Sequence, residues 1–228
     1  MTRIIRPTVD ALADALAEAT EAAAADAITA RGVFTVALTG GSAAKALYPR
    51  LSRAHVDWTK AHVYFGDERC VPPDDAESNF RLAHDVFLAP AGIPEANVHR
   101  VRGEAPPSEA AAEYARALPV LDVVHLGLGP DGHVCSLFPG HALLAESTAR
   151  VASLTDSPKP PPARVTLTRV ALREARALWF LVTGEAKRDV VHAVLTDAAS
   201  TLPSALAMRE AQSCTWFLDT AAAARLVR

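Results

Sequence analysis

Residues 121–140 read LDVVHLGLGPDGHVCSLFPG, and this stretch decides the fold. The segment LDVVHLGLG (121–129) is an apolar run of strand length that passes straight into a loop carrying Gly127, Gly129 and Gly132. The same grammar recurs along the chain. VFTVAL (33–38) runs into Thr39-Gly40-Gly41-Ser42, HVYF (62–65) into Gly66-Asp67-Glu68-Arg69, and ALWFLVTG (177–184) into Glu185-Ala186-Lys187. Short apolar runs bounded by turn residues are the mark of strands buried on both faces.

Segments of helical type lie between these strands. Residues 8–31 are alanine-rich, place Leu12, Leu16 and Ile28 on one face, and stop at Gly32. AAKALYPRL (43–51) is a second helix, with Pro49 expected to end or kink it. NFRLAHDVFLA (79–89) follows a capping Ser78, and PSEAAAEYARAL (107–118) and EAKRDVVHAVL (185–195) complete the set. RVTLT (164–168) and CTWFLD (214–219) are further strands, the last leading into a terminal alanine-rich helix. SPKPPPA (157–163) is too rich in proline for either regular structure and is expected as a loop within the domain. Strands alternating with helices give an α/β fold: one domain over residues 1–228, with a mainly parallel sheet covered by helices on both faces.

Sheets of this kind bind ligands at the carboxyl ends of their strands. The loops TGGS, GDER, GPDGH and TGEAK all fall at that edge, so one site built from all four is expected. Composition narrows what that site takes. The 228 residues carry 23 basic and 26 acidic side chains, a net charge of −3. That balance excludes a general nucleic-acid or membrane-surface binder, which would show a basic surplus. Three cysteines, at 70, 135 and 214, are odd in number and far apart, which speaks against a disulfide framework and for a reducing, cytoplasmic setting. No signal-type segment opens the chain, and no run of 18 apolar residues occurs, so no membrane span is expected. The eight histidines lack ligand spacing, so no metal site is indicated.

Each motif has a structural and a functional reading. Gly40 and Gly41 let backbone N–H groups approach an anion at a helix start, with Ser42 adding a hydroxyl, or they form an ordinary strand-to-helix turn. Lys187, in the first turn of the next helix, opposes the helix dipole unless an anion lies nearby, or it is a solvated lysine. Arg164, after three prolines, is a second candidate cation or a surface ion pair. Asp67 and Arg69 serve a substrate's hydroxyls and oxyanion, or pair with each other. Ser42-Ala43-Ala44-Lys45 fits S-x-x-K without its companion motifs. Gly127-Leu128-Gly129-Pro130-Asp131-Gly132 fits G-x-G-x-x-G, but Pro139 cuts short the long helix that a dinucleotide site needs. Those glycines instead present Asp131 and His133. An imidazole on a strand-end loop suits a general base, and Asp131 either holds the ring or meets a substrate hydroxyl.

Taken in order, LTGGS, HVYFGDERCVP, ESNF, GLGPDGHVCSLFPG, SPKPPPARVTLT, TGEAK and CTWFLD resemble the glucosamine-6-phosphate isomerase/6-phosphogluconolactonase family on its lactonase side. The resemblance runs from the first of these strands almost to the C-terminus. It implies a single domain of the glucosamine-6-phosphate isomerase type, with no metal or cofactor. It implies hydrolysis of 6-phospho-D-glucono-1,5-lactone to 6-phospho-D-gluconate in the oxidative pentose phosphate pathway. On that pattern His133 activates water, Asp67 and Arg69 line the sugar, and Ser42, Arg164 and Lys187 hold the 6-phosphate beside Gly40 and Gly41. Two alternatives stay open. An amino-sugar phosphate deaminase of the same fold would carry a further carboxylate soon after D-G-H, where this chain has Val134-Cys135-Ser136-Leu137. A phosphosugar sensor would carry a DNA-binding domain, for which there is no spare length. The expected partner is a small phosphosugar lactone, and the expected assembly is a monomer or a weak homo-oligomer.

Overall fold

The computed structural model describes residues 1–226. Helix α1 (Val9–Arg31) starts where Thr8 accepts a hydrogen bond from the Ala11 N–H, and stops at Gly32, whose φ of 78° closes it onto the Ile28 carbonyl. Around it six strands form one parallel sheet: β1 (Thr2–Arg6), β2 (Phe34–Leu38), β3 (Ala61–Phe65), β5 (Val123–Leu126), β8 (Ala177–Val182) and β9 (Cys214–Asp219). Their spatial order is β1-β9-β8-β5-β2-β3, with Val36 opposite both Val63 and Val123. A second sheet of three antiparallel strands has the order β4-β7-β6, from β4 (Asp67–Arg69), β7 (Arg164–Leu167) and β6 (Val151–Leu154).

Strand β8 shows why the sequence runs are continuous rather than alternating. Leu178, Phe180 and Val182 join one apolar cluster, while Trp179 and Leu181 join the other, on the opposite face. The Trp179 face is covered by α1 and by α2 (Gly41–Leu51) through Leu12, Leu16, Leu47 and Tyr48. The other face meets α4 (Pro107–Ala117), α6 (Arg188–Thr196) and α7 (Pro203–Glu210), together with Val151, Val165 and Leu167 of the small sheet.

The structure bears out a mainly parallel sheet with helices on both faces, adds a three-stranded sheet on the second face, and corrects several finer expectations. The segment Gly66-Asp67-Glu68-Arg69 is not a loop: β4 leaves the main sheet and pairs with β7, with Asp67 opposite Thr166. Strands β1 and β6 and helices α5 (Arg169–Glu174) and α7 were not anticipated. Helix α2 runs through Pro49 to Leu51, since a proline so near the end removes one hydrogen bond only. After α3 (Asn79–Ala83) the chain makes a π-helical turn over His84–Leu88. Residues 220–226 form turns, not the expected terminal helix. There Asp219 diverts the backbone by accepting from the Ala222 N–H (2.7 Å) and the Gly184 N–H (2.8 Å).

Candidate active site

A pocket of about 180 Å³ opens at the carboxyl edge of the parallel sheet. It is lined by Gly40, Gly41, Ser42, Asp67, Arg69, His133, Arg164 and Lys187, so all but one of the residues singled out in the sequence meet there. The exception is Asp131, which stands behind His133.

One end of the pocket is main chain. Gly40 caps α2 without a side-chain hydrogen bond, and Gly41 (φ 79°) and Ser42 form the first turn. First-turn N–H groups lack partners within their own helix, which makes this an anion-favouring end. The approach is held from below. Tyr48 Oη, fully buried, accepts from the Thr39 N–H (3.0 Å) and lies 3.2 Å from His125 Nδ1. Burial pushes the Tyr48 phenol well above its ordinary value, and likewise pulls His125 down to about 3, so both are neutral. Asn79 packs so closely that a Cβ on Gly40 would stand 1.9 Å from its Oδ1. Lys187 comes from beyond β8, one residue before α6, and its Nζ donates to the Leu128 carbonyl (2.6 Å). Burial, then the nearby Lys159 charge, lower its pKa, and Asp131 opposes them.

The other end is charged. His133 Nδ1 lies 2.5 Å from Asp131 Oδ1. A carboxylate can only accept, so Nδ1 carries the proton and Nε2 keeps its lone pair for the pocket. The ring rests on Phe138, with centroids 4.8 Å apart. Gly129 lets the ring sit there, because a Cβ at 129 would stand 1.9 Å from Nδ1. Burial lowers the His133 pKa, and Asp131 partly restores it. Burial also acts to raise Asp131, yet hydrogen bonds from His133 and Lys159 outweigh it and hold that carboxyl at about 2.

Asp67 and Arg164 line the same pocket. Ser136 Oγ donates to Asp67 Oδ2 (2.6 Å), and Asn79 Nδ2 to Asp67 Oδ1 (3.2 Å). Arg164 Nη1 lies 3.8 Å from Asp67 Oδ2. The rest of the Arg164 guanidinium is committed to the proline-rich loop: Nε donates to the Pro161 carbonyl, and Nη2 to those of Lys159 and Pro160. Arg69 bonds the Glu77 carbonyl through Nη1, while its buried Nε has no protein partner among the described residues. Neighbouring Glu68 faces away from chemistry: it accepts from the N–H groups of Arg69, Asn79 and Phe80 and fixes the start of α3.

Sequence reasoning missed Asn79 and Lys159. Asn79 opens α3 and Lys159 lies in the proline-rich loop, and the path of both depends on distant partners, although the rigid proline flanks of Lys159 were a usable signal. Among the described residues no helix is long and apolar enough to cross a membrane.

Comparison with known proteins follows the same lines. The family model described as glucosamine-6-phosphate isomerases/6-phosphogluconolactonase matches residues 7–216. The chain is 43% identical over 212 residues to the human 6-phosphogluconolactonase, covering 85% of this chain and 81% of that one. It superposes on the solved 6-phosphogluconolactonase of Trypanosoma brucei with a TM-score of 0.85 at 29% identity, over 99% of this chain and 98% of that one. A monomeric glucosamine-6-phosphate deaminase shares the fold with a TM-score of 0.84 at 20% identity, over 98% of this chain and 99% of that one.

Proposed function

The chain belongs to the glucosamine-6-phosphate isomerase/6-phosphogluconolactonase family, and on that premise we propose how it hydrolyses 6-phospho-D-glucono-1,5-lactone to 6-phospho-D-gluconate in the pentose phosphate pathway. The observation that carries the mechanism is the Asp131–His133 contact, which leaves a neutral imidazole with a free Nε2 at the pocket.

The 6-phosphate sits against the N–H groups of Gly40, Gly41 and Ser42, with Lys187 and Arg164 supplying charge, the latter through Nη1, which the proline-rich loop leaves to Ser136 Oγ and Asp67. That anchoring places the lactone carbonyl near His133, a gain of positioning rather than of chemistry. His133 Nε2 takes a proton from water as its oxygen attacks C1. The tetrahedral oxyanion collapses with cleavage of the bond from C1 to the ring oxygen, and the imidazolium returns its proton to that oxygen, giving acid and hydroxyl. Arg69, with its unpartnered Nε, and Asp67 line the sugar and the reacting end. No covalent nucleophile is needed, since a six-membered lactone already hydrolyses in water. The stretch after His133 buries Val134, Leu137 and Phe138, and offers no second acid for amino-sugar isomerisation. Three unpaired cysteines support a cytoplasmic setting.

The test is direct. Lactone made by oxidising glucose 6-phosphate is followed to 6-phosphogluconate with and without the protein, with spontaneous hydrolysis subtracted. A large acceleration is expected. Because burial lowers the His133 pKa, kcat/KM should begin to fall only below the ordinary imidazole value of ~6.5. No acceleration over background would overturn the assignment.

A further inference from the structure

Among the described residues, Lys159 is the one cation that touches both members of the acid–base pair. Its Nζ donates to Asp131 Oδ1 at 3.3 Å and stands 3.1 Å from His133 Nδ1. It reaches them from the proline-rich loop, not from the sheet edge that supplies the rest of the site. That loop is fastened by main chain. Arg164, itself buried in β7, takes the carbonyls of Lys159, Pro160 and Pro161, and Ser157 Oγ donates to the Lys159 carbonyl (2.8 Å) and accepts from its N–H (3.2 Å). The loop therefore holds its place whatever side chain residue 159 carries. Lys159 does not line the pocket, so its ammonium sits on the Nδ1 side of the ring, away from the reacting atoms.

We propose that Lys159 is a positioning residue for this reaction: it fixes the Asp131 carboxylate and holds a positive charge against His133 Nδ1, so that the ring works as a neutral base through Nε2. This rests on His133 being the base. The chemistry follows from donor counting. An ammonium can only donate, so it takes Asp131 lone pairs and cannot satisfy an Nδ1 that already carries a proton. Its charge then disfavours the doubly protonated ring, while Asp131 alone favours it. The charged groups that act on the ring are Asp131, Lys159 and Asp67, with Lys187 facing Lys159 from the far side. Burial disfavours the imidazolium most, Asp131 opposes it, and the Lys159 charge acts in the same direction as burial. The ring is kept oriented by the carboxylate without becoming the stable imidazolium that an isolated Asp–His pair would favour.

The experiment compares wild type, Lys159→Met and Lys159→Arg in two measurements. The first is the pH profile of kcat/KM on the phosphorylated lactone. The second is an NMR titration of the His133 ring in the substrate-free protein, assigned by its loss in His133→Gln. Lys159→Met should raise the His133 midpoint, and the acid limb with it, by about one pH unit. Well above that limb kcat should stay within a few-fold of wild type. Lys159→Arg should keep both midpoints near the wild-type values. An unmoved titration in Lys159→Met overturns the proposal, as does a loss of kcat without any change in the pH profile, which would mark Lys159 as structural. The NMR arm needs no turnover. A protein without lactonase activity but with the shifted titration would refute the assigned reaction and leave the Lys159 contact standing.

Discussion

The two ends of the pocket are held by different physics. At the Gly40–Ser42 end the groups aimed at substrate are backbone N–H groups, set by packed, neutral partners: Tyr48, His125 and Asn79. At the His133 end the geometry is set by charges, with Asp131 at 2.5 Å and Lys159 at 3.1 Å. An end made of main chain and core contacts cannot change its protonation near neutrality, so it suits binding. An end where opposed charges surround a buried ring has its basicity set by that burial and by those charges together, so it suits proton transfer. Substitutions at the charged end should therefore appear in kcat and in pH dependence, and those at the packed end in KM and stability.

The largest effect expected from this contrast is at His133. His133→Gln keeps polarity and approximate size but removes the proton acceptor. It should lower kcat by roughly 10²–10⁴-fold while KM stays within a few-fold. Steady-state kinetics with background hydrolysis subtracted reads both. A near-normal kcat would pass the role of base to Asp67, and a rise in KM alone would dissolve the contrast between the ends.

Lys187 probes the binding role. Its Nζ is half-buried and bound to the Leu128 carbonyl, and it lines the same pocket as the Gly40–Ser42 turn. A charge-assisted contact to phosphate contributes about 1.5–3 kcal/mol, which is roughly ten- to hundredfold in affinity. Lys187→Met should thus raise KM for the phosphorylated lactone by that factor and leave glucono-δ-lactone nearly unaffected. Equal losses on both substrates would show that Lys187 reads something other than phosphate.

The same contrast explains what could be read in the sequence. Strands β2, β3, β5, β8 and β9 were legible because burial on both faces writes continuous apolar runs such as ALWFLV. Strand β1 offers only Ile4 and Ile5, and sits at the sheet edge against β9, over two hundred residues away. Strand β4 is Asp67-Glu68-Arg69, a polar triplet that becomes a strand only because β7 arrives to pair with it. The site divides likewise. His133, Lys187 and the glycines stand at ends of legible strands, so their convergence followed from the topology. Lys159 is placed by a loop fastened through Arg164, and Asn79 by a helix start fastened through Glu68, side-chain contacts that no periodicity records. The role expected of Arg164 needed knowledge of that fastening, since its Nε and Nη2 serve the loop while Nη1 bonds Ser136 Oγ beside Asp67.

The smallest catalytic effect is expected from Tyr48, which touches no substrate. Its hydroxyl accepts from the Thr39 N–H and shares a hydrogen bond with His125 Nδ1 (3.2 Å) inside the core. Among the described residues His125 Nε2 is already buried without a partner, so this network has no slack to reassign. Tyr48→Phe removes one oxygen and strands a donor and an acceptor where water cannot reach them. Leaving such groups unpaired costs about 1–3 kcal/mol, and we expect about 2 kcal/mol of lost stability, visible as a lower urea midpoint with an unchanged slope. The released Thr39 N–H also frees the turn that aims Gly40 and Gly41. KM for the phosphorylated lactone should rise a few-fold, while kcat and the pH profile stay as in wild type. A shifted acid limb in Tyr48→Phe would mean that the packed end communicates with His133, and the two ends would have to be treated as one electrostatic unit.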